Sequence, residues 1–332
     1  MRSTARPVPP IRRLLFVRTD RLGETLLNLP AIHALRAVLP AAHLIWLVSP
    51  QMQELLAGHP DVDEVVAEPP LPDAWWPRAW VLSRLWRRWH PDTVIISNPT
   101  KAYHLAAWLA RIPRRVGYRR KWGGLLTDAI PDRKALGSHH EVEYNLDLVK
   151  TTLKVSTLSE PCMAVPVGAQ EDEAVARRLA VGSNPGDRFV AIHPWTSNPR
   201  KQWPPARFRE LIDRLAASAA VRPVVIGGAA ERAHVEDVLP SPHRAIDLVG
   251  ALSLKELAAL LRHVRLLVSN DSGPVHLAAA VGTPVVALFG TGDPGSRPSR
   301  WGPWGAGHTV IQQPLAQLSV DDVHRAVARY LA

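Results

Sequence analysis

Short apolar runs alternate along the whole chain with segments in which apolar residues recur at every third or fourth position. The runs predict buried strands, and the periodic segments predict helices. In the first half, strands are predicted at residues 11–17, 44–48, 62–66, 93–96 and 115–118. Helices are predicted there at residues 24–38, 51–57, 77–89, 103–110 and 139–153. This alternation predicts an α/β fold with a parallel, doubly wound sheet.

Residues 156–171 interrupt the pattern, since they contain two prolines and no clear period. The alternation then restarts, with strands predicted at 189–192, 223–226, 245–248, 265–269 and 284–289, and helices at 204–215, 231–239, 254–263, 274–281 and 321–331. We therefore predict two Rossmann-like domains, residues 1–165 and 166–332, that face a central cleft. Each polar loop discussed below follows a predicted strand. Because ligands of such sheets bind at the carboxyl ends of the strands, these loops should share one rim.

The stretch 265–290 reads strand, loop, helix, strand, and its loop carries candidate anion-binding chemistry. Asp271, Ser272 and Gly273 form a tight turn before the helix. Free backbone N–H groups and the helix dipole at such a turn suit a phosphate. His276 on the first helical turn could reach the same anion, and the Asp271 carboxylate would accept hydrogen bonds from sugar hydroxyls. An ordinary capped helix explains the same residues, so both interpretations stay open.

Two further loops offer ligands for a nucleotide. The loop 193–204 contains Thr196, Ser197 and Lys201, which are phosphate ligands by type. In the turn 227–231, Glu231 could accept ribose hydroxyls, although a glutamate at a helix N-terminus is also favoured by the dipole alone. A surface loop that caps the next helix would explain the first set equally well. The chain contains no G-x-G-x-x-G, P-loop or H-E-x-x-H motif.

Composition and charge limit the classes of binding partner that the protein could have. The 332 residues suffice for two domains, and a formal net charge of +10 favours acidic partners such as nucleotides, nucleic acid or an anionic membrane. The single cysteine, Cys162, excludes an internal disulfide framework and suits a cytoplasmic protein. No apolar run approaches the length of roughly 18 residues that a membrane-spanning helix needs.

Tryptophan and arginine are concentrated between residues 75 and 89. On a helix through this segment, Leu82 and Trp86 fall on a face that we predict to be core, together with Leu85 and Trp89. Trp80, Arg84 and Arg87 fall on another face, a candidate for contact with an anionic lipid surface or acceptor phosphates. A solvated basic face is an equally good explanation. Since no nucleic-acid-binding motif is present, nucleic acid is not predicted as a partner.

Five motifs, taken together and in this order, resemble glycosyltransferase family 9, the ADP-heptose:lipopolysaccharide heptosyltransferases and their relatives. They are residues 18–30 (RTDRLGETLLNLP), 193–204, 227–231, 248–254 (LVGALSL) and 269–277 (SNDSGPVHL). The resemblance implies a GT-B fold, a donor such as ADP-heptose in the C-terminal domain and an acceptor in the N-terminal domain. It further implies inverting transfer without metal or cofactor to the lipopolysaccharide inner core or a similar lipid-linked saccharide. Such an enzyme would be cytoplasmic and peripheral to the inner face of the membrane.

The resemblance also implies roles for single residues. The donor-binding positions are Thr196, Ser197, Lys201, Glu231, Leu252, Asp271, Ser272, Gly273 and His276. Glu24 occupies the family's catalytic acidic position, which is often Asp, and Lys201 would stabilise the departing diphosphate. Asp20, Arg21 and Gly23 lie in the loop on the acceptor side, where Asp20 and Arg21 replace small hydroxyl residues. A sugar-nucleotide 2-epimerase of the same fold and a non-catalytic sugar-nucleotide-binding protein are the alternatives.

Overall fold

The structure is a computed structural model that describes residues 10–158, 160–181, 183–218, 220–239, 245–292 and 294–331. These residues form two six-stranded sheets in which every neighbouring pair of strands is parallel. Apolar strands that are buried on both faces need helices on both sides, and each sheet is covered in this way. No helix within the described ranges is both long and apolar enough to cross a bilayer.

The N-terminal sheet has the strand order β3-β2-β1-β4-β5-β6. Its strands are β1 Arg13–Val17, β2 His43–Val48, β3 Glu64–Ala67, β4 Thr93–Ile96, β5 Arg114–Arg119 and β6 Asp128–Pro131. The helices of this half are α1 Leu22–Leu26, α2 Leu29–Val38, α3 Pro50–Leu56, α4 Trp75–Trp89, α5 Lys101–Leu109 and α6 Glu141–Leu153.

The C-terminal sheet repeats this topology, with the order β12-β11-β10-β7-β8-β9. Its strands are β7 Arg188–His193, β8 Val221–Gly227, β9 Ile246–Val249, β10 Leu266–Asn270, β11 Val285–Phe289 and β12 Thr309–Gln312. The helices are α7 Ala169–Ala180, α8 Pro205–Ala216, α9 Leu254–His263, α10 Gly273–Ala280, α11 Pro298–Trp301 and α12 Val320–Leu331. In both sheets the order reverses beside the first strand, which is the topology of a Rossmann-like fold. The predicted pair of doubly wound sheets is confirmed.

Side chains of the central strands alternate between core clusters. On β1, Leu14 and Phe16 enter a cluster that contains residues of both halves. Leu15 and Val17 point to the opposite face and enter a cluster made only by the N-terminal half, beneath α4 and α5. A third cluster lies beneath α8 and α12 in the C-terminal half. The two sheets therefore share one layer of core, and the α4–α5 layer lies on the outside of the molecule.

The predicted helix 24–38 is in fact two helices, α1 and α2. Pro30 is the second residue of α2. Proline lacks an N–H and its ring clashes with the carbonyl four residues earlier, so one helix cannot run through Leu26 and Pro30. The amide of Asn28 fills the break by donating to the Glu24 carbonyl oxygen at 2.7 Å. The break leaves α1 as a short element at the edge of the cleft. A second difference is that residues 229–237 form a 3₁₀ helix.

Candidate active site

Three of the predicted site loops, those after β1, β7 and β10, lie where the strand order of a sheet reverses. The loop after β1 leads into α1, and the loop after β10 leads into α10. These two helices pack against each other across the cleft. A Cβ at Gly23 would lie 2.5 Å from Cδ2 of His276, and a Cβ at Gly273 would lie 3.0 Å from Cδ2 of Leu22. The absence of side chains at these glycines thus permits the closest approach of the two halves.

The N-terminus of α10 has free hydrogen-bond donors. Ser272 holds the N-cap position, but its hydroxyl does not cap the helix. That hydroxyl instead contacts Ser269 Oγ at 2.9 Å and His193 Nδ1 at 3.2 Å. Within the described part of the chain, no carbonyl or side chain accepts a hydrogen bond from the N–H groups of Ser272 and Gly273. Donors at the positive end of a helix form a site for an anion such as a diphosphate.

The loop after β7 is fastened to this helix terminus by Lys201. Its Nζ donates to Asp271 Oδ2 at 2.8 Å, and the Thr196 hydroxyl donates to the Asp271 carbonyl oxygen at 3.4 Å. The side chain of Asp271 is 10% exposed and that of Lys201 is 25% exposed. The ammonium group of Lys201 therefore lies at the surface of the cleft. It is beside Asp271, the residue that precedes the N-cap of α10.

A cavity of about 320 Å³ lies between the loops after β7 and β8. Its lining residues are Trp195, Thr196, Gln202, Ala230, Glu231, His234 and Asp237. Glu231 lies on the 3₁₀ turn Ala229–Asp237, with its carboxylate against Gly228. Leu252 follows β9, is half-buried against the shared core, and does not line this cavity. The structure thus brings Thr196 and Glu231 to one cavity but leaves Leu252 outside it.

The two carboxylates of the N-terminal loop have different partners. Asp20 accepts a hydrogen bond at 2.6 Å from Nε of Arg18, a buried guanidinium that also donates to the Ser97 carbonyl oxygen. Burial raises the pKa of Asp20, and the charge of Arg18 opposes that effect. Glu24 is paired at 3.1 Å with Arg21, whose side chain is 75% exposed. Glu24 is therefore the carboxylate with the more easily displaced partner.

Arg21 also reaches across the cleft. Its Nη1 donates to Ser197 Oγ at 3.5 Å, which joins the Glu24 side of the cleft to the loop that carries Lys201. The predicted acceptor-side residues Asp20, Arg21 and Gly23 therefore lie within one turn of chain that contacts the predicted donor loops.

Both histidines of the site are uncharged at neutral pH. Burial lowers the pKa of His276 to about 3 and that of His193 to about 4. Nδ1 of His276 is buried, and no hydrogen-bond partner for it exists among the described residues. A neutral ring can donate one hydrogen bond but adds no charge, so the cationic charge beside α10 comes from Lys201. The described ranges hold no group of three His, Cys, Asp or Glu residues suited to a metal ion.

A buried ion cluster adjoins the site and was missed from the sequence. The Glu141 carboxylate is 2% exposed and contacts Lys134 at 2.5 Å, Arg300 at 2.9 Å and Arg18 at 3.9 Å. Burial opposes ionisation of Glu141, but Lys134 and Arg18 outweigh it and lower its pKa. Arg300 belongs to the C-terminal half and Glu141 to the N-terminal half. The cluster therefore connects the halves and supports Arg18, the partner of Asp20.

Two doubly wound sheets whose switch points face each other across a cleft define the GT-B fold. The family model of glycosyltransferase family 9 (heptosyltransferase) matches residues 92–325. The match covers more than half of the chain, so the chain belongs to glycosyltransferase family 9, and the resemblance stated from its motifs is confirmed.

Relatives agree with this assignment. Lipopolysaccharide heptosyltransferase 1 of Pseudomonas aeruginosa is 29% identical over 299 residues, which are 85% of this chain and 80% of that protein. The crystal structure of a family 9 glycosyltransferase from Veillonella parvula superposes with a TM-score of 0.85 at 21% identity, over 96% of this chain and 97% of that one. The structure of E. coli ADP-heptose lps heptosyltransferase II superposes with a TM-score of 0.80 at 21% identity, over 96% and 98%.

The 2-epimerase alternative has weaker support. UDP-GlcNAc 2-epimerase from Methanocaldococcus jannaschii superposes with a TM-score of 0.57 at 14% identity, over 95% of this chain and 92% of that one. That likeness is one of fold alone. The family model and the sequence relatives therefore favour a transferase.

Proposed function

We propose that this protein transfers a heptose from ADP-heptose to a hydroxyl of the lipopolysaccharide inner core or a similar lipid-linked saccharide, with inversion and without a metal. The observation that carries the proposal is the meeting of α1, with Glu24, and the open N-terminus of α10 across one cleft. The names of the relatives supply the donor and the acceptor. Residues 1–165 hold the acceptor and residues 166–332 hold the donor in this proposal.

In the proposed reaction, Glu24 is the general base. It takes the proton of the acceptor hydroxyl as that oxygen attacks the anomeric carbon from the face opposite the diphosphate. The new glycosidic bond forms while the bond to the diphosphate oxygen breaks, and its electron pair leaves with ADP. Attack from the opposite face inverts the configuration of the anomeric carbon.

The charge that develops on the leaving diphosphate has partners in the protein. Lys201 supplies a full positive charge, and the N–H groups of Ser272 and Gly273 supply hydrogen bonds at a helix N-terminus. Thr196 and Ser197 complete the phosphate loop, while Glu231 contacts the ribose and Leu252 packs near the base. His276 adds a neutral donor.

Turnover is expected to persist in excess EDTA, because Lys201 and the helix terminus perform the role that a divalent cation has in other transferases. The measurement is release of ADP in the presence of acceptor, before and after chelation. Loss of turnover in EDTA that Mg²⁺ or Mn²⁺ restores would show that the protein's own charges are insufficient.

Lys201→Ala is expected to weaken ADP binding by about 1.5–3 kcal/mol, the range for a hydrogen bond to a charged group. The loss includes repulsion from Asp271, whose carboxylate then faces the diphosphate without its 2.8 Å partner. Calorimetric titration with ADP measures it. Arg200→Ala is the matched control, since Arg200 is an exposed cation on the same turn. Equal losses in the two variants would mean that only net charge matters.

Mass spectrometry of the product formed from ADP-heptose and truncated lipopolysaccharide tests the function as a whole. A heptosylated acceptor is expected, together with ADP. Conversion of a sugar nucleotide without acceptor would identify an epimerase, and donor binding without any turnover would identify a non-catalytic binding protein. The acceptor is lipid-linked in this proposal, so the enzyme works at the cytoplasmic face of the inner membrane.

A further inference from the structure

The formal positive charge of the protein is concentrated in one segment of the sequence. From the first residue of α4 to residue 127, the sequence contains eleven Lys and Arg residues and a single acidic residue, Asp92. This segment alone therefore carries a formal charge of +10. The remainder of the chain contains 29 basic and 29 acidic residues and is neutral overall.

The same segment carries the exposed tryptophans. Among the described residues, every tryptophan with a largely exposed side chain lies between residues 75 and 122. Trp76 is 64% exposed, Trp80 is 53% exposed and Trp108 is 51% exposed. Trp76 and Trp80 lie one helical turn apart on α4, while Trp86 on the opposite side of that helix is fully buried. Large exposed apolar side chains grouped in this way mark an interaction surface.

A basic cavity of about 560 Å³ opens at the C-terminal ends of α4 and α5. Arg87, Arg111, Arg115 and Trp108 line it. None of the three guanidinium groups forms an ion pair with a carboxylate of the described chain. Arg87 donates to the carbonyl oxygen of Leu109, and Arg115 donates to the carbonyl oxygens of Ile112 at 2.6 Å and Leu125 at 2.7 Å. The backbone thus orients Arg87 and Arg115 without neutralising their charge.

This cavity is separate from the site in the cleft. It adjoins Arg114, the first residue of β5, whereas the loops of the candidate active site follow the last residues of strands. The helices α4 and α5 cover the face of the N-terminal sheet that does not contact the C-terminal half. A partner on this face would leave the cleft between the halves accessible.

We propose that the α4–α5 face docks on an anionic phospholipid bilayer, with Trp76, Trp80 and Trp108 at the level of the headgroups and a lipid phosphate in the Arg87–Arg111–Arg115 cavity. Tryptophan favours the membrane–water interface, and basic residues near it are attracted to anionic lipids. Guanidinium forks match phosphate oxygens in geometry. The purpose of docking rests on the proposed function, since a lipid-linked acceptor lies in a membrane, but binding can be measured without donor or acceptor.

The test is co-sedimentation of the full chain with vesicles of phosphatidylglycerol and phosphatidylethanolamine, compared with vesicles of phosphatidylcholine alone. We expect binding to the anionic vesicles only. The double variant Arg87→Gln and Arg111→Gln should bind roughly thirtyfold more weakly, because each basic residue near the surface contributes about fivefold. The control Arg177→Gln and Arg325→Gln changes net charge equally at exposed positions of α7 and α12 and should bind as the parent does. Trp76→Ser with Trp80→Ser should weaken binding even at high salt.

Several results would overturn the proposal. Unchanged vesicle binding by the Arg87 and Arg111 variant would show that the α4–α5 face is not the docking surface. An equal loss in the control pair would show the same. Tighter binding to an RNA or DNA oligonucleotide than to vesicles would assign the face to nucleic acid. A dimer that the tryptophan variant dissociates would assign it to a second copy of the chain, and displacement from vesicles by low concentrations of inorganic phosphate would assign the cavity to a free anion. ADP titration of the same variants separates this inference from the proposed function, because ADP affinity should be unchanged in all of them.

Discussion

Glu24→Gln is expected to reduce kcat by about a hundredfold or more, the effect of removing a general base. The amide keeps the size of the side chain and its position on α1 but cannot accept the proton of the acceptor hydroxyl. ADP affinity should be nearly retained, because the donor contacts lie on the other side of the cleft. Steady-state kinetics with titration of ADP separates the two effects. Glu24→Asp should keep partial activity.

Asp20 is the competing candidate, and the structure gives it a different environment. Arg18 donates to its carboxylate at 2.6 Å from a buried position, so Asp20 is tied to the loop. We expect Asp20→Asn to be the milder change, with its effect arising from a less well-positioned loop. An inactive Asp20→Asn enzyme beside a normally active Glu24→Gln enzyme would reverse the assignment.

Glu141→Gln is expected to lower the free energy of unfolding by about 3–5 kcal/mol, the cost of leaving buried charges unpaired. The carboxylate is 2% exposed and is surrounded by Lys134, Arg300 and Arg18. Among the described residues, its removal leaves Lys134 and Arg300 without a paired carboxylate, while Arg18 keeps Asp20. Urea-induced unfolding measures the loss. Asp147→Asn on the same helix is the control, since that carboxylate is 49% exposed beside Lys150 and should cost less than about 1 kcal/mol.

The effect of Glu141→Gln should depend on pH in a defined direction. The folded-state pKa of Glu141 lies below its ordinary value, so its ionised form stabilises the protein above the ordinary glutamate range. That stabilisation is lost as the pH falls through the folded-state pKa, because the native protein then protonates the same group. The difference between parent and variant should be largest at neutral pH and shrink in acid. A difference that grows in acid would mean that another group dominates.

The central part of the fold was predictable because its strands are apolar on both faces. All five residues of β11 are buried, as are those of β10, and such runs are visible in the sequence. Two of the four edge strands, β6 and β12, were missed for the opposite reason. Strand β6 has no buried residue, and β12 alternates between exposed and half-buried positions. Helix α7 was missed because only Val175 and Leu179 are buried on it, too few to establish a period.

The site was predictable as a set of loops but not as a set of contacts. A strand–loop–helix pattern places each loop on the rim, since the carboxyl ends of parallel strands lie together. Which side chains then pair is decided by tertiary structure. Lys201 meets Asp271 from 70 residues away, and Arg300 meets Glu141 from 159 residues away. The sequence around Arg300 and Lys134 does not mark them as partners of one carboxylate. The ion cluster therefore could not be predicted from sequence motifs.

The close approach of α1 and α10 also constrains how the sequence can change over evolution. Gly23 faces His276, and Gly273 faces Leu22, at separations that leave no room for a methyl group without displacement of the opposite side chain. Each glycine and its neighbour in the other half therefore form a pair of one small and one large residue. An alanine at position 23 becomes tolerable only with a smaller residue at position 276 or with a wider cleft. The residues at these four positions are thus expected to change together during evolution. Residues on the outer faces of the two sheets are expected to change independently of one another.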